Sequence, residues 1–133
     1  MKNAKATRKR GFTHTVEIRG GDHVLTADES RKDGGNDEGP SPQELLAASL
    51  ASCSAVTLEM YADRKGWELG DVTVEVTYEP AQRGSPTRFE IAVRLPKEVP
   101  EEQRERLMQI VARCPVHRTL EGEVIFDEKI ELI

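Results

Sequence analysis

The sequence predicts an α+β fold, with antiparallel sheets packed on one long central helix in a single domain spanning 1–133. Three observations carry that prediction. Apolar residues alternate with polar ones early in the chain and again in its second half; between these stretches lies a helical run, Leu45 to Leu58, without a single charge; and the order of elements, ββαββα(α)β, places helices after hairpins.

Phe12, His14, Val16 and Ile18 alternate with polar neighbours, Arg19-Gly20-Gly21-Asp22 supplies a turn, and His23 to Asp28 returns, giving an N-terminal hairpin over 11–29. Residues 30–40 are polar and glycine-rich and form a loop. The central helix, 41–66, opens with the capping box Ser41-Pro42-Gln43-Glu44 and closes with Arg64-Lys65-Gly66. At ~1.5 Å per residue it is roughly 37 Å long. Strands follow at 71–79 and 87–95, with Val72, Val74, Val76 and Tyr78 on one inward face and Phe89, Ile91, Val93 and Leu95 on another. Pro100 opens a helix over 100–113 with an apolar stripe through Leu107, Ile110, Val111 and Cys114, which Pro115 ends. A short helix at 115–121 and a final strand at 123–132, carrying Val124, Phe126, Ile130 and Leu132, complete the chain. A helix that is apolar or small on every side must be covered on every side, and one domain of 133 residues has too little sheet to wrap it. A homodimer in which two such helices bury each other is therefore expected.

Composition narrows the function classes. The chain has 24 acidic against 19 Lys and Arg residues, and five of the basic ones fall in the first ten, so the body beyond them holds 14 against 24. A body of that sign repels a phosphate backbone, which argues against nucleic acid as a partner. The basic start lacks the apolar stretch of a secretory signal and is expected as a solvated tail or a first strand. No run approaches the ~20 apolar residues of a membrane span, so no membrane partner and a cytoplasmic location are expected. In that compartment thiols stay reduced.

The two cysteines, Cys53 and Cys114, occupy contrasting settings. Cys53 lies on the helical stripe Leu46, Leu50, Cys53, Thr57, Met60 and faces packed material, where a thiol is often an inert small hydrophobe. Cys114 precedes Pro115; if that proline starts a short helix, Cys114 is its cap, and the free N–H groups there favour a thiolate, with His117, Arg113 and Arg118 as nearby donors. The alternative is that Cys114 only ends its apolar stripe. Cys114-x-x-His117 is half a zinc spacing, but His14 and His23 lie far off in the hairpin and a usual four-ligand set is incomplete, so no metal and no bound cofactor are expected. Nucleophile elbows and phosphate-binding loops are absent.

The stretches Gly39-Pro40-Ser41-Pro42-Gln43-Glu44-Leu45-Leu46-Ala47-Ala48-Ser49-Leu50-Ala51-Ser52-Cys53, Met60-Tyr61-Ala62-Asp63-Arg64-Lys65-Gly66 and Cys114-Pro115-Val116-His117-Arg118-Thr119-Leu120 resemble the OsmC/Ohr family of osmotically inducible and organic-hydroperoxide-resistance proteins, over nearly the whole chain. The resemblance implies an intertwined homodimer with two active sites at the subunit interface. It assigns Cys53 as the thiol that attacks an organic hydroperoxide and Cys114 as the one that resolves the sulfenic acid, with an external dithiol, protein or small molecule, as reductant. In such relatives an arginine from the N-terminal hairpin sits near the thiolate, held by a glutamate directly after the helix-opening proline. Here that position is Gln43, with Glu44 one residue on. At ~100° per residue Gln43 lies about 80° around the helix from Cys53 and Glu44 about 180°. Glu44 is thus better explained as the capping-box acid, and Gln43 as a neutral hydrogen-bond partner for an arginine, for which Arg19 and Arg31 are the candidates. Two further readings stand beside the peroxidase: a dimeric binding protein for an apolar ligand with Cys53 inert, and a thiol redox sensor without turnover.

Overall fold

The basic start of the chain is a strand: β1, Ala4–Arg10, pairs antiparallel with β2, Thr13–Ile18, which pairs in turn with β3, His23–Ala27. The computed structural model describes the whole chain, residues 1–133. It divides into two compact units: residues 1–48 with 78–88, and residues 49–77 with 89–133. The expected hairpin over 11–29 is therefore a three-stranded meander. The difference arises because β1 is exposed along its whole length and has no apolar alternation to betray it.

In the first unit the register stacks Ala6 on Val16 and Leu25, and Arg8 on His14 and Ala27. The glycine-rich loop after β3 is packed hard on backbone. A Cβ on Gly35 would lie 2.0 Å from the Glu29 carbonyl oxygen, and one on Gly39 2.2 Å from that of Thr26, so both positions need the bare backbone of glycine. The loop closes around Asp28, a buried carboxylate that accepts hydrogen bonds from the Thr13 hydroxyl at 2.8 Å and from the backbone N–H groups of Glu29 and Glu38 at 2.7 and 3.2 Å. Burial alone would raise the Asp28 carboxyl; the Thr13 hydroxyl and the backbone donors outweigh it and hold the group below the usual carboxylate range. Thr13 also donates to Glu38 at 3.0 Å, and Glu38 is ion-paired with Arg10. An apolar cavity of about 420 Å³ opens in this unit among Ala6, Phe12, Val16, Ala27 and Leu45.

The long helix α1, Pro42–Lys65, starts in the reciprocal cap that the sequence predicts. The Ser41 N–H donates to the Glu44 carboxylate at 2.9 Å, and the Glu44 N–H donates to the Ser41 hydroxyl at 3.2 Å. At its other end Gly66, with φ +71°, turns the chain, and the N–H groups of Gly66 and Trp67 close on the carbonyls of Asp63 and Ala62. Only one side of α1 is covered within the chain. Leu50, Ser54, Leu58, Tyr61 and Ala62 are buried, whereas Val56 and Met60 are exposed. Met60, expected on the packed stripe with Cys53, thus lies outside it. By length and composition alone α1 passes for a membrane span, against the expectation that no stretch approaches one; its buried residues instead belong to a core.

That core fills the second unit. Leu58, Tyr61 and Ala62 of α1 meet Leu69, Val99 and three residues of the next helical segment, Leu107, Ile110 and Val111. The paired strands β4, Thr73–Glu79, and β5, Arg88–Arg94, lay Val74, Ile91 and Val93 against it, joined by Val72 and Leu95. Trp67 packs edge-on against Tyr61, with ring centres 5.6 Å apart, and the Arg106 Nε–H donates to the Tyr61 hydroxyl at 2.9 Å. The helix expected at 100–113 is α2, Glu101–Ile110, tightening into a 3-10 turn, Val111–Arg113, before α3, Pro115–Glu121. The final strand expected at 123–132 does not form. After Gly122 the segment pairs with no strand of its own chain, and Phe126, Ile130 and Leu132 are 78, 92 and 95% exposed.

Two outcomes test this account. Leu107→Ala empties the centre of the second unit and is expected to lower stability by about 2–5 kcal/mol in urea unfolding. Thr13→Val removes one donor from Asp28; the deficit against wild type is expected to be largest near neutral pH and to shrink as pH falls below the carboxylate range. The sign follows because a depressed carboxyl stabilises the fold only while it is ionised.

Candidate functional site

The two cysteines, 61 positions apart in sequence, meet beside the first turn of α3. Cys114 is fully buried and caps α3, with Pro115 at the first helical position; its Sγ accepts the backbone N–H of His117 at 3.4 Å. The cap geometry that Cys114-Pro115 predicts is therefore present. Cys53, half-buried on α1, is reached by three groups: the Cys114 thiol, the backbone N–H of Val116 and the Thr57 hydroxyl one turn along its own helix. The orphan N–H groups at the start of α3 are thus shared between the two sulfurs, Val116 serving Cys53 and His117 serving Cys114.

Burial pushes the Cys53 thiol up, and hydrogen bonding with Cys114 raises it further. The Val116 N–H opposes this, the charge of Cys114 adds to it, and the Thr57 hydroxyl opposes it weakly, leaving Cys53 above the ordinary thiol range. No cation is among the main groups that act on it. As the chain stands, Cys53 is held near its partner thiol in its neutral form.

The remaining candidate residues are placed as follows. His117 belongs to the site through its backbone; its ring faces the Glu121 carboxylate within the same helix, off the hydrogen-bonding direction. Arg113 and Arg118 are exposed. Glu44 is occupied in the capping box, where the backbone N–H and hydroxyl of Ser41 hold its carboxyl below the usual range. Gln43 is exposed in the same first turn. Arg19 contacts the His23 ring nitrogen at 2.9 Å and the Asp22 carboxylate at 3.7 Å. Arg31 is exposed and opens a 3-10 turn, Arg31–Asp33. None of these four is among the groups acting on Cys53. Two features go beyond the sequence reading. Thr57, placed by sequence on the stripe of Cys53 only as packing, acts on the thiol through its hydroxyl, four residues along the same helix. The Arg10–Glu38 pair spans 28 positions, and no spacing rule reaches it. No group of three His, Cys, Asp or Glu side chains is placed to hold a metal ion.

A long helix carrying one thiol, a short helix capped by another, and two small antiparallel sheets define a two-cysteine α+β protein. The family described as OsmC-like protein matches residues 34–129, and the chain belongs to it. Among solved structures it is similar to an OsmC-like protein from Mycoplasma pneumoniae, at 20% identity and a TM-score of 0.77, covering 92% of this chain and 88% of that one. It is also similar to an organic hydroperoxide resistance protein OsmC from Legionella pneumophila, at 25% identity and a TM-score of 0.65, covering 92 and 90%. A third, an organic hydroperoxide resistance protein from Elizabethkingia anophelis, shares 23% identity at a TM-score of 0.72, covering 92 and 89%. No curated protein matches the chain in sequence.

Because Cys114 contributes to the raised Cys53 thiol, Cys114→Ala is expected to move the pH profile of Cys53 alkylation by iodoacetamide to lower pH. An unmoved profile would show that the two thiols do not act on each other.

Proposed function

We propose that the chain is a cysteine-based peroxidase that reduces organic hydroperoxides to alcohols in a reducing cytoplasm. The observation that carries this reading is the meeting of Cys53 and Cys114 at the cap of α3. Its membership of the OsmC-like family and its likeness to proteins named for organic hydroperoxide resistance support it.

In the proposed cycle the Cys53 thiolate attacks one oxygen of the O–O bond. The bond breaks, the alkoxide takes a proton and leaves as the alcohol, and Cys53 becomes a sulfenic acid. The Cys114 thiol then attacks that sulfur, water departs, and a Cys53–Cys114 disulfide remains. The peroxide has gained two electrons and the two thiols have lost them; an external dithiol, protein or small molecule, returns them. Ser54 and Leu50, buried beside Cys53 on α1, and the small residues around it favour an alkyl hydroperoxide over hydrogen peroxide.

The cycle requires Cys53 to ionise, and its raised thiol calls for a cation. We place that cation on a second copy, in a homodimer that covers the exposed Val56–Met60 side of α1. Arg10 is the best-held arginine of the N-terminal strands, since its carboxylate partner Glu38 is itself fixed by Thr13. The raised thiol also favours a second reading, a dimeric binding protein for an apolar ligand in which Cys53 is inert.

Stopped-flow oxidation of the reduced protein separates these. Peroxidase function predicts that cumene hydroperoxide oxidises it at least ~10²-fold faster than a free thiol at the same pH, and faster than hydrogen peroxide does. That reaction should vanish in Cys53→Ser and stop at the sulfenic acid in Cys114→Ser. A slow reaction, equal for both oxidants, would overturn the peroxidase and leave the binding protein in front. Fast disulfide formation that no dithiol reverses would leave a redox sensor.

A further inference from the structure

The stretch Tyr61-Ala62-Asp63-Arg64-Lys65-Gly66-Trp67 closes α1, about two turns beyond Cys53, and the proposed thiol chemistry does not use it. Its spacing builds one wall of a cavity. Tyr61 and Lys65, four residues apart, share a face of the helix, and the Lys65 ammonium stands 5.7 Å from the centre of the Tyr61 ring. The turn at Gly66 then doubles the chain back. The Trp67 N–H closes on the Ala62 carbonyl at 2.8 Å, and the indole meets the phenol edge-on. The opposite wall is α2, where Glu102, Glu105, Arg106 and Gln109 follow the three- and four-residue spacing of one helical face. The cavity between the two walls holds about 300 Å³, at the lower end of the range of small-ligand sites.

Arg106 is the unusual member of this cavity. It is half-buried, and both of its side-chain hydrogen bonds go to neutral oxygens: Nε–H donates to the Tyr61 hydroxyl at 2.9 Å and Nη1–H to the Gln109 amide oxygen at 2.8 Å. No carboxylate is ion-paired with it, although Glu102 lies one turn before it and Glu105 directly before it. A guanidinium taken partly out of water and fixed at Nε and Nη1 keeps its Nη2 donors for an anion that the chain itself does not supply.

Tyr61 completes the arrangement. Its oxygen accepts from Arg106, so its own hydrogen remains to be donated. The Arg106 hydrogen bond holds the phenol below its usual range; burial opposes this, and the charges of Arg106, Lys65 and Arg113 reinforce it. An oriented guanidinium, a phenol donor and a nearby ammonium thus surround one space, with the Trp67 indole as an apolar surface beside them. Glu102 and Glu105 limit the charge that fits, because they repel a dianion more than a monoanion.

We propose that this cavity binds a small aromatic monocarboxylate, its carboxylate on Arg106 and Tyr61 and its ring against Trp67. A planar guanidinium already held in place matches the two oxygens of a carboxylate. The site lies apart from the two thiols, and its occupancy stands or falls independently of the peroxidase reading.

Trp67 is the only tryptophan of the chain, so its fluorescence reports binding directly. Titration of the full chain with benzoate is expected to give a saturable change, with affinity at least ~10-fold tighter than for benzyl alcohol, which keeps the ring and lacks the charge. Arg106→Gln is expected to weaken benzoate at least ~10-fold and to leave benzyl alcohol unchanged. Tyr61→Phe removes only the hydroxyl, so the ring stays packed, and is expected to weaken benzoate by ~3- to 10-fold. Benzoate should also raise the pH at which Tyr61 ionises, because a bound carboxylate opposes a neighbouring phenolate; ultraviolet titration of wild type against Tyr61→Phe isolates that phenol. Phenyl phosphate, a dianion beside Glu102 and Glu105, should bind more weakly than benzoate. The absence of a saturable response, equal affinity for benzoate and benzyl alcohol, or benzoate binding unmoved by Arg106→Gln would overturn the site. Tighter binding of phenyl phosphate would overturn the monocarboxylate assignment.

Discussion

The site depends on one piece of packing. Leu107, Ile110 and Val111 sit in the same buried cluster as Leu58, Tyr61 and Ala62 of α1, and this fixes where the chain emerges from α2. The 3-10 turn at Val111–Arg113 is what the last buried contact leaves room for, and the next residue is Cys114. Placing a second thiol beside Cys53 is therefore chiefly a property of the hydrophobic core, to which the Arg106–Tyr61 hydrogen bond between α2 and α1 adds a polar tie. A core of this kind positions without being chemically involved, so the alignment of the thiols tolerates changes of charge on the surface far better than changes of volume at position 58 or 107.

What could be read from the sequence was local. Ser41-Pro42-Gln43-Glu44, Arg64-Lys65-Gly66 and Cys114-Pro115 each complete their hydrogen bonding within six residues, so their meaning is carried by adjacent letters. The features that stayed hidden join distant positions or lack an apolar signature. β1 is written in Lys, Arg, Ala and Thr, a composition shared by solvated tails, and only its register with β2 makes it a strand. The ties of Asp28 to Thr13 and of Glu38 to Arg10 cross 15 and 28 positions. The alternation of 123–132 was legible as a strand, but a strand is a relation between two segments, and sequence shows only one of them.

The electrostatics of the two units pull in opposite directions. In the first, burial of Asp28 is outweighed by donors, and the glycine loop is drawn tight around an ionised group. In the second, burial of Cys53 prevails, with only one backbone N–H and one hydroxyl against it. The same physical effect thus accompanies a fixed charge in one unit and a suppressed one in the other. A thiol suppressed in this way is less open to adventitious alkylation and metal capture.

Cys114 has two occupations, and they compete. As the cap of α3 it offers its sulfur to the His117 N–H; as the resolving thiol of the proposed cycle it must turn that sulfur toward Cys53. A disulfide sulfur is a poorer acceptor than a thiol or thiolate, so closing the bond unfastens the first turn of a helix only seven residues long. The loosened turn leads directly into the acidic, apolar end of the chain. Oxidation would then be broadcast as local unravelling: a reductant could recognise spent protein by its softened carboxyl-terminal stretch, with no need to sense the sulfur bridge itself.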